Sequence, residues 1–240
     1  MDNRGRSIAV MQPYIFPYLG YFQLINAVDE FVFYDDVNYI KGGWINRNNV
    51  LINKEKKLFT LPIDKSSSNK LICDTFINRA LYEKWKKKFL RSLEQSYKKA
   101  PYFDDTFTLV KNVLSTSNDN LSQLALKSAV SVTRFLEIKT NFASSSVENF
   151  NSRDLSAQSR VIDIVKKNKA KVYINAIGGK ELYDKSDFKS CGIDLLFLNP
   201  SIKPYKQFDN NFVSGLSIID VLMFNSKEEC RMLLKNYQLE

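Results

Sequence analysis

Two loops hold the residues best equipped for chemistry. Asp35 and Asp36 stand side by side at the end of an apolar run and lead into Val37-Asn38-Tyr39-Ile40-Lys41-Gly42-Gly43-Trp44-Ile45-Asn46-Arg47-Asn48. Paired carboxylates can take a proton from an amine, directly or through a water, or accept ribose hydroxyls. Lys41 and Arg47 can neutralise phosphate, Arg47 through two parallel hydrogen bonds. Trp44 adds a flat ring and Asn48 an amide. The architectural alternative is an acid pair neutralised by Lys41 or Arg47 merely to hold the loop. Buried charge is a costly way to stabilise a fold, which favours a functional use.

The second loop is Met11-Gln12-Pro13-Tyr14-Ile15-Phe16-Pro17-Tyr18-Leu19-Gly20-Tyr21. Its prolines stiffen the backbone, Gly20 permits a close approach, and Tyr14 and Tyr18 offer faces for a base or sugar. The bland reading is a rigid aromatic loop packed for stability. Its place, between a strand and a helix, resembles that of the HxGH loop in nucleotidyltransferase-type folds. Both histidines are absent from Pro17-Tyr18-Leu19-Gly20-Tyr21, so adenylyl transfer is unsupported. A third cluster joins Tyr205 and Gln207 to Asp220, a carboxylate in an otherwise apolar helix start. Unpaired there it would be expensive, so the bland reading is a buried salt bridge or cap to Arg47 or a nearby backbone, and the functional one is that Tyr205, Gln207 and Asp220 bind substrate.

Composition narrows the chemistry. The 240 residues contain no histidine, which removes Ser-His and Cys-His nucleophile pairs and histidine-based metal sites. Cys73, Cys191 and Cys230 are too scattered for a structural zinc or a disulfide framework. No metal or prosthetic group is implied. A net charge of +9 suits phosphate-bearing ligands, although richness in Lys, Asn, Ile and Phe is also what an AT-rich genome yields. The Lys-rich face over residues 84–91 reads as a solvated surface without the aromatic interleaving that single-stranded nucleic acid needs. No apolar stretch reaches the roughly 18 to 20 residues of a membrane helix, and residues 1–6 carry no signal-peptide pattern. A cytoplasmic location is expected.

Apolar runs at 7–11, 31–34, 138–142, 171–174 and 193–198 predict strands, and the segments between them carry helical periodicity at 20–28, 152–167 and 181–189. A tight turn is expected at Gly178-Gly179, and a last helix over 217–224. This alternation predicts an α/β fold with a mostly parallel, Rossmann-like sheet flanked by helices. Runs at 50–52 and 58–63 predict a hairpin, and 71–77 a further short strand. Two helices follow, over 81–97 and from a cap at Asn118 or Asp119 to about 136. One α/β domain over 1–240 is expected, with the hairpin and a two-helix cap inserted at about 50–136. Ligands of parallel sheets gather at the carboxyl ends of strands, so Gln12, Tyr14, Asp35, Asp36, Lys41, Arg47 and Asn48 should line one pocket, with Asp220 approaching from the C-terminal region. Asp36→Asn is expected to spare the fold.

The run Ile8-Ala9-Val10-Met11-Gln12-Pro13-Tyr14-Ile15-Phe16-Pro17-Tyr18-Leu19-Gly20-Tyr21-Phe22 strongly resembles the WbqC-like family. So do Asp35 to Lys41, Trp44 to Asn48, Tyr97 to Phe103 and Leu216 to Asp220. The resemblance covers essentially the whole chain. It implies a role in bacterial surface polysaccharide, O-antigen and lipopolysaccharide synthesis. The implied reaction modifies a nucleotide-linked amino sugar by acyl or aminoacyl transfer to its amine. Acyl-CoA, an amino acid with ATP, or aminoacyl-tRNA would be the donor. A non-catalytic protein that binds a sugar nucleotide or an assembly partner is the alternative.

Overall fold

Residues 5–64, 69–148, 154–155, 157–208 and 211–240 are described in a computed structural model. The chain runs β1 (Ser7–Met11), α1 (Leu19–Asn26), β2 (Glu30–Phe33), β3 (Arg47–Ile52), β4 (Glu55–Thr60), α2 (Arg79–Tyr97), α3 (Phe103–Leu114) and α4 (Leu121–Phe135). It continues through β5 (Asn141–Ser144), α5 (Ala157–Lys167), β6 (Val172–Ala176), α6 (Lys185–Ser190), β7 (Asp194–Pro200), α7 (Ile218–Phe224), α8 (Lys227–Leu233) and β8 (Tyr237–Leu239).

Alternating side chains explain why the main sheet is buried on both faces. Ala9, Phe31, Phe33, Val172 and Ile174 belong to one core with α1, α4 and α7. Ile8, Val10, Val32, Tyr173 and Leu195 belong to a second core with Val161, Ile164 and Val165 of α5 and Phe188 of α6. The order is β5-β2-β1-β6-β7-β8, with five parallel strands and β8 antiparallel at the edge. β3 and β4 form a separate antiparallel hairpin. The fold is therefore α/β, a mostly parallel sheet flanked by helices plus a small hairpin sheet. From β1 the chain builds outward to β2 and β5 on one side, then to β6 and β7 on the other. The reversal between β1 and β6 is a topological switch point.

Several local expectations shift. The hairpin turn is only Asn53-Lys54, both at positive φ (51° and 66°), so the strands reach closer to it. Instead of a strand over 71–77 there is a 3-10 turn, Ile72–Asp74, because Thr75 bonds back to the Leu71 carbonyl (2.8 Å) and the Cys73 N–H reaches the Asp35 carbonyl (2.8 Å). α3 is an additional helix, so the expected two-helix region holds three. Its apolar stripe of Phe103, Phe107, Val110 and Leu114 has helical spacing but starts directly after Pro101. Asn120 caps α4, accepting from the Gln123 N–H (3.0 Å), while the side chain of Asn118 serves Asn120 itself.

β5 begins at Asn141 rather than 138. Glu137 turns left-handed (φ 58°) and the Ile138 N–H closes the end of α4 on the Thr133 carbonyl (3.0 Å), so Ile138 is spent as a cap. Gly178 and Gly179 lie in a 3-10 turn, Ile177–Leu182, and α6 starts after an Asp184 cap. The start expected for α5 near 152 falls outside the described residues.

Candidate functional site

The aromatic loop after β1 is fixed at Phe16, which adopts a left-handed backbone (φ 42°) that a bulky residue rarely holds. Three elements hold it there. The Phe16 N–H donates to the Ser128 hydroxyl of α4 (3.0 Å), and its carbonyl accepts from the Asn48 amide (2.6 Å) and the Ser217 hydroxyl (2.8 Å). The Ile15 N–H meets the Ile45 carbonyl (3.0 Å) and the Ile218 N–H meets the Pro17 carbonyl (2.8 Å). The loop is thereby stitched to the β2–β3 connection and to the start of α7. Tyr14 and Tyr21 pack edge to face at 5.1 Å. The Tyr14 hydroxyl accepts from the Tyr18 N–H (3.1 Å), and the Tyr21 hydroxyl donates to the Gln12 carbonyl (3.1 Å). Burial pushes both phenols up, so they act as neutral hydrogen-bonding groups.

These side chains wall a cavity of about 360 Å³ together with Met11, Tyr18, Leu24, Trp44, Asn48, Ala176 and Gly215. Met11 ends β1 and Ala176 ends β6, so the cavity opens at the switch point of the sheet. Trp44 is 53% exposed and Tyr18 partly so. The Arg47 guanidinium lies 5.8 Å from the centre of the Trp44 ring. Its Nε is buried without a hydrogen-bond partner among the described residues. Lys41 is exposed on the same connection and Gln12 is partly buried at the start of the aromatic loop. Of the residues singled out from sequence, Tyr14, Tyr18, Trp44 and Asn48 meet on the cavity wall, with Arg47 against Trp44.

Asp35 and Asp36 lie at the same sheet edge, since β1 and β2 are parallel with Met11 opposite Phe33. Neither is among the residues lining the cavity. The Asp35 carboxylate is fully buried. One oxygen accepts from the hydroxyls of Ser122 (2.7 Å) and Ser146 (2.9 Å). The other accepts from the Ser146 N–H (3.0 Å) and the Ser145 hydroxyl (3.3 Å). Asp36 forms an ion pair with Arg160 of α5 and accepts from Ser145. The Arg160 guanidinium stands 4.8 Å from the Tyr34 ring centre. Sequence reasoning missed Ser122, Ser145, Ser146 and Arg160. Arg160 was detectable: it shares the buried stripe of Val161, Ile164 and Val165, where a cation needs an anion.

Asp220 is held by neutral donors rather than by an ion pair with Arg47. One oxygen accepts from the Tyr205 hydroxyl (2.6 Å) and the Gln207 amide (2.7 Å), the other from the Tyr97 hydroxyl (2.8 Å). Tyr97 in turn accepts from the Leu51 N–H of β3 (2.7 Å). Burial pushes the Asp220 carboxyl up, and the three hydrogen bonds pull it part of the way back. Gln207 also brackets Val213, donating to its carbonyl (3.1 Å) and accepting from its N–H (2.8 Å). Tyr205, Gln207 and Asp220 thus latch the strap between β7 and α7, whose Gly215 reaches the cavity.

Among the described residues no helix is long and apolar enough to cross a membrane. No solved structure matches the chain. The uncharacterized protein Rv1507c of Mycobacterium tuberculosis (strain ATCC 25618 / H37Rv) is 28% identical over 223 residues, spanning 92% of this chain and 94% of that protein. The model of the WbqC-like protein family matches residues 12–232, from the aromatic loop through most of α8, and on that match the chain belongs to the WbqC-like protein family.

Proposed function

We propose that the chain is a transferase acting on a nucleotide-linked amino sugar for surface polysaccharide such as O-antigen, with the crevice between β1 and β6 as its binding site. The observation that carries this reading is the aromatic cavity at the switch point, where doubly wound sheets bind ligands. Its volume of about 360 Å³ falls in the ordinary range of small-molecule sites. The reaction class, acyl or aminoacyl transfer to the sugar amine, is the one that the resemblance to the WbqC-like family implies. In that step the amine nitrogen bonds to the acyl carbon, the donor's thiol, phosphate or hydroxyl departs, and the amine gives up a proton.

Arg47 and Lys41 take the diphosphate, and the rings of Tyr14, Tyr18 and Trp44 hold the reactants. Asp35 and Asp36, expected as bases, take a positioning role here, because hydroxyls and Arg160 already occupy their oxygens. They fix the loop that carries Trp44 and Arg47. The same occupancy favours a second reading, a sugar-nucleotide or assembly-partner binding protein without turnover.

Calorimetry with dTDP-, UDP- and GDP-linked amino sugars tests the site. Binding is expected for one of them, and Arg47→Ala should weaken it by about 1.5 to 3 kcal/mol, the scale of a charge-assisted hydrogen bond. Failure of every nucleotide and nucleotide sugar to bind overturns the reading. Adding acyl-CoA, amino acid with ATP, or aminoacyl-tRNA and following the sugar by mass spectrometry separates the two readings. An amide product excludes the non-catalytic one.

A further inference from the structure

The polar atoms of the cavity wall are largely spent. Tyr14 serves the Tyr18 N–H, Tyr21 serves the Gln12 carbonyl, and the Asn48 amide bonds to the Phe16 carbonyl and the Asn49 N–H (2.8 Å). Among the described residues no carboxylate or cation lines the cavity, and Met11, Leu24, Ala176 and the aromatic rings supply most of the remaining described surface. A hydroxylated pyranose or a base pushed inside would lose hydrogen bonds to water and find few in return. An ammonium group is disfavoured as well. Aromatic walls attract cations, but Arg47 already rests against Trp44 and the chain carries a net +9.

What fits is a neutral hydrocarbon group. Of the three phenols on the wall, only the Tyr18 hydroxyl lacks an internal hydrogen bond among the described residues. Such a hydroxyl can donate to the carbonyl oxygen of a bound ligand.

We propose that the cavity under Trp44 receives the hydrocarbon chain of an acyl donor, with the donor's carrier outside it and Arg47 and Lys41 left to the diphosphate of the sugar nucleotide. This rests on the reading of the crevice as the transfer site, and it assigns the enclosed part of that site to the acyl group rather than to the base or sugar. Because the cavity holds only about 360 Å³, it should act as a ruler.

The test is calorimetry on the full chain with straight-chain acyl-CoA thioesters from acetyl to dodecanoyl, with CoA alone as reference. Affinity should rise about fourfold per methylene until the cavity is full and then level off. Ala176→Leu should bring the plateau to a shorter chain. Trp44→Ala, at a half-exposed position that does not risk the fold, should flatten the dependence. Tyr18→Phe should weaken every acyl thioester and leave CoA itself unchanged. Plain fatty acids showing the same slope would support the pocket with a different carrier. Equal affinity for CoA and all its thioesters overturns the inference. Nucleotide sugars that still bind in that case leave the transferase reading standing. Their failure to bind beside a clear chain-length slope overturns the transferase reading alone.

Discussion

Arg160 and Asp36 are each 4% exposed, so neither charge can be removed without stranding the other. Their pairing is supported by the Ser145 hydroxyl on the aspartate and the Tyr34 ring beside the guanidinium. Asp36→Asn should therefore lower unfolding stability by about 3 to 5 kcal/mol, the cost of an uncompensated buried charge. That reverses the expectation from sequence that this change spares the fold. Urea denaturation measures it, and the double change Asp36→Asn with Arg160→Met should recover much of the loss. A single variant as stable as the parent would mean that water reaches Arg160 and the pair is not sealed.

At the scale of elements, the turn from Tyr18 into α1 shows how the cavity wall depends on one small residue. A Cβ on Gly20 would lie 2.5 Å from the Tyr18 ring, at the outer end of that side chain. Gly20→Ala should then cost about 1 kcal/mol or less in stability, because the ring can swing away. Ligand affinity should fall by more than that, since Tyr18 would leave the wall. Parallel measurement of thermal midpoint and ligand Kd decides it, and equal losses in both would show that Gly20 serves the fold alone.

The importance of this loop was legible because prolines, tyrosines and glycine punctuate it. The parallel strands were legible because their apolar runs are short and uninterrupted. α3 carries the same kind of signal, with Phe103, Phe107, Val110 and Leu114 at helical spacing and Asp104 and Asp105 in its first turn, but it starts so soon after Pro101 that the proline masks it. The partners of Asp35 were not legible either. Ser122, Ser145 and Ser146 come from distant parts of the chain, and nothing in a serine's own neighbourhood announces a carboxylate.

Across the whole molecule, Asp220 couples α7 to α2 and β3 through Tyr97 and to the strap through Tyr205 and Gln207. Its raised carboxyl means the native chain keeps a proton that the unfolded chain releases above the ordinary value of 3.8. The stabilising contribution is therefore full below that value and is lost as pH rises through the native one. Tyr97 and Tyr205 titrate far higher and stay protonated throughout. Asp220→Asn cannot titrate, so the parent should lose stability relative to this variant as pH climbs from about 4 toward neutrality. Thermal denaturation of both across that range is the measurement, and parallel curves would show that Asp220 ionises normally.

The strand order also sets a timetable. β1 lies at the centre of the sheet, yet Ser7 and Ile8 pair with Val172 and Tyr173. At translation rates of about 5 to 20 residues per second, β1 waits about 10 to 30 s for that neighbour to be synthesised. Throughout the wait one edge of β1 is open, with Ile8 and Val10 uncovered on the face that α5 will pack against. On the ribosome the crevice at Met11 and Ala176 is consequently assembled late, and the nascent chain must be shielded from pairing with other strands before β6 arrives.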